Sequence, residues 1–254
     1  MIALDQLTIL TKTFKTNEAT ILREYLQLIF LNALYSLPDS QKIVFKGGTA
    51  IHLIFMAPRF SEDLDFTVDM NPENFEILIQ KVFALLKIEG FSFKLRPTLA
   101  GKRYLLSHTL PNSKLKTFIN LDFSFREKVF HPQNAIIKTS LPVLFSSLVT
   151  HMSKDEIYAE KIRALLNRQK GRDLYDLWYL CTQHAKLDLA MVQSKLDYYQ
   201  IKYSKDNLLK RINLFDRNEF IQDLRPFVTI GERDKLDNLF MYIKEFLTRD
   251  TVAA

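Results

Sequence analysis

The sequence has little of several residues that define whole classes of protein. One cysteine in 254 residues excludes an internal disulfide framework and metal sites built from cysteine clusters. No apolar run approaches the roughly 20 residues that cross a bilayer, and Met1–Lys15 lacks a signal-peptide pattern. We therefore expect a folded, cytoplasmic protein with no membrane segment and no secretion leader.

Glycine is also scarce. The chain has 6 glycines, about 2% of its residues against a usual ~7%, and two of them stand together as Gly47 and Gly48. Glycine gives up more backbone freedom on folding than any other residue. A doublet in such a chain therefore indicates a backbone that something approaches closely.

What is present is typical of a globular protein with a basic surface. Hydrophobic residues make up 47% of the chain and charged residues 25%, which excludes disordered, collagen-like and low-complexity classes. The 35 Lys and Arg against 29 Asp and Glu give a formal charge of +6. This excess suits a phosphate-rich partner, although many basic proteins bind nothing acidic.

The patterning divides the chain into two parts that differ in kind. Helical spacing of apolar residues, helix caps and strand alternation predict an α/β part, after a first segment of uncertain structure. Its predicted helices cover 17–37, 50–56 and 71–87, and its predicted strands cover 43–45, 64–68, 91–96, 104–110 and 117–125. Beyond Pro142, a capping box at Ser153 begins a helix that we expect Gly171 to end, and helices follow to about Leu247. We therefore predict an α/β domain over 1–145 and a helical domain over 146–254.

Two aspartates in the predicted strand 64–68 and just before it are the first candidate site residues. Side chains alternate along a strand, so Asp63 and Asp65 point to the same face, with Cα atoms about 6.6 Å apart. Carboxylates so placed can converge on magnesium ions, which prefer oxygen ligands. The alternative is an exposed edge strand whose acids pair with neighbours such as Arg59.

A third carboxylate lies on the polar face of the predicted strand 117–125. Asp122 stands between Asn120 and Ser124, whereas the residues of the opposite face are apolar. It could supply a third metal ligand or a general base. Three acids on one face would repel one another unless a cation neutralised them. The alternative is a solvated strand face.

The glycine pair stands where a predicted strand ends and a helix begins. Gly47, Gly48 and Thr49 could offer backbone N–H groups and a hydroxyl to a phosphate. The segment matches neither the Walker A pattern nor the dinucleotide-binding G-x-G-x-x-G pattern. A tight strand-to-helix turn is the alternative.

Charged residues of the helical part add two further candidates. Lys161 interrupts the apolar stripe of its helix, so its ammonium either meets an anion such as a triphosphate or extends to water. Asp173 and Asp176 share one face at the start of the next predicted helix, where capping and compensation of the helix dipole are the simpler explanation.

Taken together, three blocks resemble the AbiEii/MenA-type nucleotidyltransferase toxins. The blocks are 46–50 (Lys-Gly-Gly-Thr-Ala), 59–66 (Arg-Phe-Ser-Glu-Asp-Leu-Asp-Phe), and Glu160-Lys161 followed by 172–177 (Arg-Asp-Leu-Tyr-Asp-Leu). The resemblance implies a polymerase-β-like nucleotidyltransferase fold, with a mixed sheet and flanking helices, followed by a helical domain. It also implies the toxin half of a toxin–antitoxin or phage-defence pair, with a cognate antitoxin as partner.

The resemblance assigns roles residue by residue. Asp63 and Asp65 match metal-binding carboxylates, Lys161 matches a lysine that contacts the triphosphate, and Asp173 matches an aspartate essential for activity. The positions that match nucleotide-holding residues are Gly48, Thr49 and Ser61, with Gly47 beside them. Asp122 is placed as the third metal ligand by its strand pattern and by analogy with the wider fold.

The expected activity is nucleotidyl transfer from an NTP to RNA. Mg²⁺, or Mn²⁺ as an alternative, would bind Asp63, Asp65 and Asp122, while Asp122 or Asp173 helps to deprotonate the attacking hydroxyl. Some family members modify the 3′ end of tRNA, which is the expected acceptor here and would block translation. The alternatives are transfer to a protein such as the antitoxin, transfer to a small molecule, or non-catalytic binding of nucleotide or RNA.

A basic stretch offers a candidate surface for the RNA. Residues 90–121 contain six basic residues and no acidic ones: Lys94, Arg96, Lys102, Arg103, Lys114 and Lys116. Such a stretch could follow an RNA backbone with a strong dependence on salt. The alternative is a solvated sheet edge whose charge prevents aggregation.

Overall fold

The computed structural model describes residues 2–98, 100–111 and 113–253, with side chains described as far as residue 249. The chain divides into two units, Met1–Met152 and Ser153–Ala254. The division falls seven residues beyond the boundary that we placed at residue 145. The difference arises because residues 149–152 form a strand of the first unit's sheet.

Within the described residues, the first unit is built on one seven-stranded mixed sheet, in the order β3-β4-β5-β2-β1-β7-β6. This confirms the predicted mixed α/β class. The elements are α1 (Leu4–Phe14), α2 (Glu18–Tyr35), β1 (Ile43–Lys46), α3 (Gly47–Leu53), β2 (Leu64–Val68), α4 (Pro72–Ile88), β3 (Ser92–Arg96), β4 (Lys102–Thr109), β5 (Lys116–Ser124), β6 (Pro132–Ala135) and β7 (Val149–Met152).

Local signals place most of these elements. Asn17 caps α2 by accepting a hydrogen bond from the backbone N–H of Thr20, and Asn71 caps α4 in the same way, followed by Pro72 at the first helical position. The strand β2 has the bounds that alternation predicts.

An aromatic cluster fixes the centre of the sheet. Phe66 on β2 and Phe123 on β5 are register partners, and their rings stack with centroids 4.9 Å apart. Phe30 of α2 and Phe75 of α4 pack against this pair, so these two helices cover one face of the sheet. Because side chains alternate, the residues next to each phenylalanine point to the opposite face.

The strands β6 and β7 have no counterpart in the sequence-based prediction. The strand β7 is buried beside β1, and the Tyr35 hydroxyl lies 2.6 Å from the carbonyl oxygen of Ile43 and 2.9 Å from that of Thr150. The edge strand β6 contains Pro132, a residue that sheets admit at their edges. Each strand has only four residues, and their pairing depends on contacts that are distant in sequence.

The second unit consists of helices and short 3₁₀ turns in its described residues. Its helices are α5 (Lys154–Asn167), α6 (Gly171–Thr182), α7 (Leu189–Asp197), α8 (Lys205–Asn213), α9 (Arg217–Leu224) and α10 (Leu236–Ala253). Ser153 caps α5 as predicted. The role that we gave Gly171 is wrong: α5 ends at Asn167, and Gly171 begins α6, where its Cα packs against the backbone of Phe220.

None of the helices that the structure describes is both long and apolar enough to cross a bilayer.

Truncation of a side chain on the buried face of β5 should cost much more stability than truncation on its exposed face. We expect Phe123→Ala to lower the free energy of unfolding by about 3–5 kcal/mol, because it removes a buried ring from the stack. Urea denaturation of the purified protein measures this. The control is Phe118→Ala on the same strand, where the side chain is 45% exposed and the expected loss is below about 1 kcal/mol. Equal losses in the two variants would contradict the assignment of the faces.

Candidate active site

Charged side chains form a row across five strands on the face opposite the aromatic cluster. Asp65 on β2 is the register partner of Lys46 on β1 and of Asp122 on β5. Asp122 in turn faces Arg103 on β4, which faces Arg96 on β3. Register partners share a face and lie on strands about 4.8 Å apart. Two carboxylates therefore stand side by side, with cations at both ends of the row.

Asp63 joins this face just before β2 begins. Its Oδ1 accepts a hydrogen bond of 2.9 Å from Nδ2 of Asn120, which lies on β5 two residues before Asp122. Thr49 is fully buried, and its hydroxyl donates to the backbone carbonyl of Asp63. The predicted convergence of Asp63 and Asp65 on one face therefore has a structural basis, and both side chains are half-buried.

A side chain of helix α2 fixes the loop that precedes Asp63. The buried amide of Gln27, on α2, donates to the carbonyl oxygens of Ser61 at 3.1 Å and Glu62 at 3.0 Å. One side chain thus replaces the sheet partners that this loop lacks. Sequence analysis did not single out Gln27, because a glutamine within a helix gives no sign of a contact with a loop 34 residues away.

The glycine pair lets side chains of the site approach the backbone. Gly47 has a φ of +77°, and a Cβ there would collide with the carboxylate of Asp65. A Cβ on Gly48 would lie 2.6 Å from Nη2 of Arg59 and 3.1 Å from Oγ of Ser61. The groups that approach the pair in this structure are therefore Asp65, Arg59 and Ser61. Contact of the pair with a phosphate stays a prediction.

Arg59 is a site residue that the sequence analysis treated only as a pairing partner for acids. Its side chain is 2% exposed, and Nη1 donates to the carbonyl of Phe60 at 2.9 Å. This buried guanidinium places a fixed positive charge beside Gly48 and the Ser61 hydroxyl. The one sequence signal that could have identified Arg59 as a site residue is its position two residues before Ser61 in the same motif.

Asp122 lies beside Asp65 but is engaged by Arg103. The distance from Arg103 Nε to Asp122 Oδ1 is 2.5 Å. This hydrogen bond raises the pKa of the Arg103 guanidinium, and the negative charges of Asp122, Asp63 and Asp65 raise it further. No three His, Cys, Asp or Glu side chains in the described part of the chain are gathered closely enough to hold a metal ion. The role of Asp122 as third ligand therefore stays a prediction.

The donor set at Asp63 and Asp65 fits a hard divalent cation. Both residues offer carboxylate oxygens on one half-buried face, and oxygen is the ligand that Mg²⁺ and Mn²⁺ prefer. The neighbouring carboxylate of Asp122 adds to the negative charge of that face.

In the second unit, Lys161 is bonded to both aspartates that the sequence singled out. Nζ of Lys161, on α5, lies 2.8 Å from Oδ1 of Asp173 and 2.7 Å from Oδ2 of Asp176, both on α6. Arg168 donates to both oxygens of Asp173. Burial opposes ionisation of Asp173, but the charges of Lys161 and Arg168 outweigh it and hold the pKa of Asp173 well below its usual range. Asp173 is thus a fixed anion and a weak proton acceptor.

The family model described as nucleotidyl transferase AbiEii toxin, Type IV TA system, matches residues 29–240. The chain belongs to this family. The match covers most of both units and confirms the resemblance drawn from the three sequence blocks. This AbiEii chain is therefore a nucleotidyltransferase toxin, and its family implies an NTP substrate and an antitoxin partner.

Solved structures show the same fold over nearly the whole chain. The Helicobacter pylori protein JHP933 is similar with a TM-score of 0.59 and 19% identity, covering 94% of this chain and 95% of that one. The nucleotidyltransferase toxin MenT4 from Mycobacterium tuberculosis is similar with a TM-score of 0.60 and 18% identity, covering 93% and 87%. No curated protein matches the AbiEii chain significantly.

The lowered pKa of Asp173 predicts a pH dependence of stability. A carboxylate whose pKa is depressed by folding stabilises the protein above its unfolded pKa of about 3.9, and this contribution is lost as the pH falls. We expect the difference in free energy of unfolding between wild type and Asp173→Asn to shrink by about 1 kcal/mol between pH 5 and pH 3. Urea denaturation at each pH measures it.

The matched control for this prediction is Asp234→Asn, at an exposed aspartate of the same unit. Its difference from wild type should stay constant over the same range. A constant difference for Asp173→Asn as well would contradict the ionic role of Asp173.

Proposed function

We propose that this toxin transfers a nucleoside monophosphate from an NTP to a ribose hydroxyl of RNA at the Asp63–Asp65 site, with the 3′ end of tRNA as the acceptor. The hydroxyl oxygen bonds to the α-phosphorus of the NTP, the bond between the α- and β-phosphates breaks, and pyrophosphate leaves. The observation that carries the proposal is the placement of both carboxylates on one face, beside the glycine pair and the Arg59 guanidinium. Modification of the tRNA end would prevent aminoacylation and so stop translation.

Each residue of the first unit has a distinct part in this reaction. Asp63 and Asp65 would hold Mg²⁺ or Mn²⁺, which when bound neutralises charge on the phosphoryl oxygens. The Ser61 hydroxyl and the backbone N–H groups of the glycine pair bind the phosphates of the NTP, and the buried Arg59 guanidinium beside Gly48 adds positive charge there. Thr49 acts through the backbone, because its hydroxyl fixes the carbonyl of Asp63.

The attacking hydroxyl requires a proton acceptor, and the two candidates differ in their surroundings. Both carboxylate oxygens of Asp173 are bonded to cations, and its pKa is depressed. Asp122 adjoins Asp65, and the arginine bonded to its Oδ1, Arg103, is 45% exposed and can move away, so Asp122 is the better candidate for general base. In this proposal Asp173 instead holds the ammonium of Lys161 within the second unit.

Removal of either metal-binding carboxylate should abolish transfer. We expect Asp63→Asn and Asp65→Asn each to lower the rate by at least about a hundredfold, because charge neutralisation at the phosphoryl group is lost. The measurement is incorporation of labelled nucleotide into total tRNA in the presence of Mg²⁺. Circular dichroism and the melting temperature show whether the variants remain folded.

The control for the carboxylate variants is Asp69→Asn, at an exposed aspartate one residue after β2. This variant should transfer nucleotide as wild type does. Full activity in both Asp63→Asn and Asp65→Asn would refute the site, and label on protein in place of RNA would refute the acceptor.

The structure divides the basic stretch between the two faces of the sheet. Arg96 lies in the row of Asp65 and Asp122, and Lys94 lies two residues away on the same face. Lys102 points to the other face, where its Nζ lies 3.1 Å from Oε2 of Glu76 on α4. The basic side chains that share the aspartate face support an RNA path along β3, β4 and β5.

An exposed aromatic ring lies on this same face. Phe118 is 45% exposed and lies two residues before Asn120 on β5. The ammonium of Lys116 lies 5.2 Å from the centre of its ring. A cation beside an exposed ring suits single-stranded RNA, whose bases stack on aromatic rings while cations contact the phosphates.

Charge reversal should separate RNA binding from nucleotide binding. We expect the double variant Lys94→Glu/Arg96→Glu to bind tRNA at least about tenfold more weakly at low salt, because two phosphate contacts become repulsive. The slope of log affinity against log salt should fall by about 1 to 2. Filter binding at several salt concentrations measures both, and NTP affinity should stay unchanged.

The control with the same change of charge is Lys81→Glu/Lys87→Glu on α4, the helix that covers the other face. It should bind tRNA nearly as wild type does. Equal losses in the two double variants would eliminate the β3–β5 face as the RNA surface.

A further inference from the structure

Arg103 occupies an unusual position beside the aspartates. It lies on β4 directly opposite Asp122, and its guanidinium is 2.5 Å from that carboxylate. The Arg103 side chain is 45% exposed, whereas that of Asp122 is 25% exposed. The arginine therefore approaches the acidic face from solvent, and the partner that it binds is a predicted metal ligand.

The negative charges around the Arg103–Asp122 pair explain why a cation stabilises this face. Asp63, Asp65 and Asp122 share one face, and the charges of all three favour the protonated guanidinium of Arg103. Lys46, at the other end of the row, is the register partner of Asp65, and its Nζ lies 2.9 Å from Oε2 of Glu127. The positive charge of Arg103 thus offsets part of the repulsion among the three acids.

A guanidinium and a divalent cation cannot occupy the same position on Asp122. Arginine does not lose its proton in proteins, so the competition can end only when the side chain moves away. Movement costs little for a half-exposed ion pair, because such pairs contribute at most about 1 kcal/mol. The arginine is therefore held firmly enough to compensate the acids and loosely enough to be replaced.

We propose that Arg103 is a resident counter-cation of the aspartate face, which holds Asp122 in the metal-free enzyme and is displaced when a divalent cation binds. The inference rests on the proposed cation site at Asp63 and Asp65, with Asp122 as a further ligand of that cation. Arg103 is thus a positioning residue, and it lowers the affinity of the site for metal. In the metal-free protein this cation offsets part of the repulsion among the three acids.

The test measures metal binding through stability and without catalysis. Thermal unfolding of the full chain is followed during titration with MnCl₂ for wild type and Arg103→Gln. We expect metal-free Arg103→Gln to melt below wild type, since the acids lose a compensating charge. Its half-saturating Mn²⁺ concentration should be about three- to fivefold lower, the range expected when a half-exposed ion pair no longer competes.

Two further variants make the result specific to this contact. Lys102→Gln removes the same charge from the neighbouring residue of β4, on the opposite face, and should titrate with Mn²⁺ as wild type does. Arg103→Lys keeps the charge and should restore a half-saturating concentration closer to that of wild type.

The outcomes distinguish this inference from the proposed site. If Asp65→Asn abolishes the Mn²⁺ effect but Arg103→Gln titrates as wild type does, the role of Arg103 is overturned and the metal site stands. If Lys102→Gln tightens Mn²⁺ binding as much as Arg103→Gln, the effect is one of net charge, and the role of Arg103 is overturned as well. If Mn²⁺ stabilises neither wild type nor Arg103→Gln, both the inference and the cation site at Asp63 and Asp65 fail.

Discussion

The register between β2 and β5 is the constraint on which the rest of the site depends. It pairs Phe66 with Phe123 on the buried face and, one residue earlier on each strand, Asp65 with Asp122 on the other face. A slip by one residue would turn carboxylates into the aromatic core and expose the rings. The hydrophobic stack therefore fixes the spacing of the charges, and two like charges stand on neighbouring strands because the packing beneath them leaves no other register.

Much of this fold could be predicted because its signals are local. Alternation gives β2 its bounds, and Asn17 and Asn71 mark where α2 and α4 begin. The strands β6 and β7 could not be predicted in this way, since four-residue strands acquire their identity from partners far along the chain. Gly171 shows the same limit: sequence marks it as a helix breaker, but its place is set by close packing against Phe220.

In the candidate site too, features with a local sequence signal could be predicted, and contacts between distant residues could not. Strand periodicity is sufficient to place Asp63 and Asp65 on one face. It cannot show that Gln27 holds the loop before Asp63, or that Asn120 orients the Asp63 carboxylate, because those contacts join residues 34 to 57 positions apart. Lys161 and Asp173 were both singled out, but their bond was not, because it depends on how α5 and α6 pack.

The left-handed backbone of Gly47, with the Asp65 carboxylate lying over its Cα, leaves this position no conservative replacement. Every missense change in that codon adds a Cβ, so either the chain must leave its φ of +77° or a proposed metal-binding acid must move. A single nucleotide change in the Gly47 codon can therefore inactivate this toxin. Its persistence in a genome then depends on whatever selects for an intact copy.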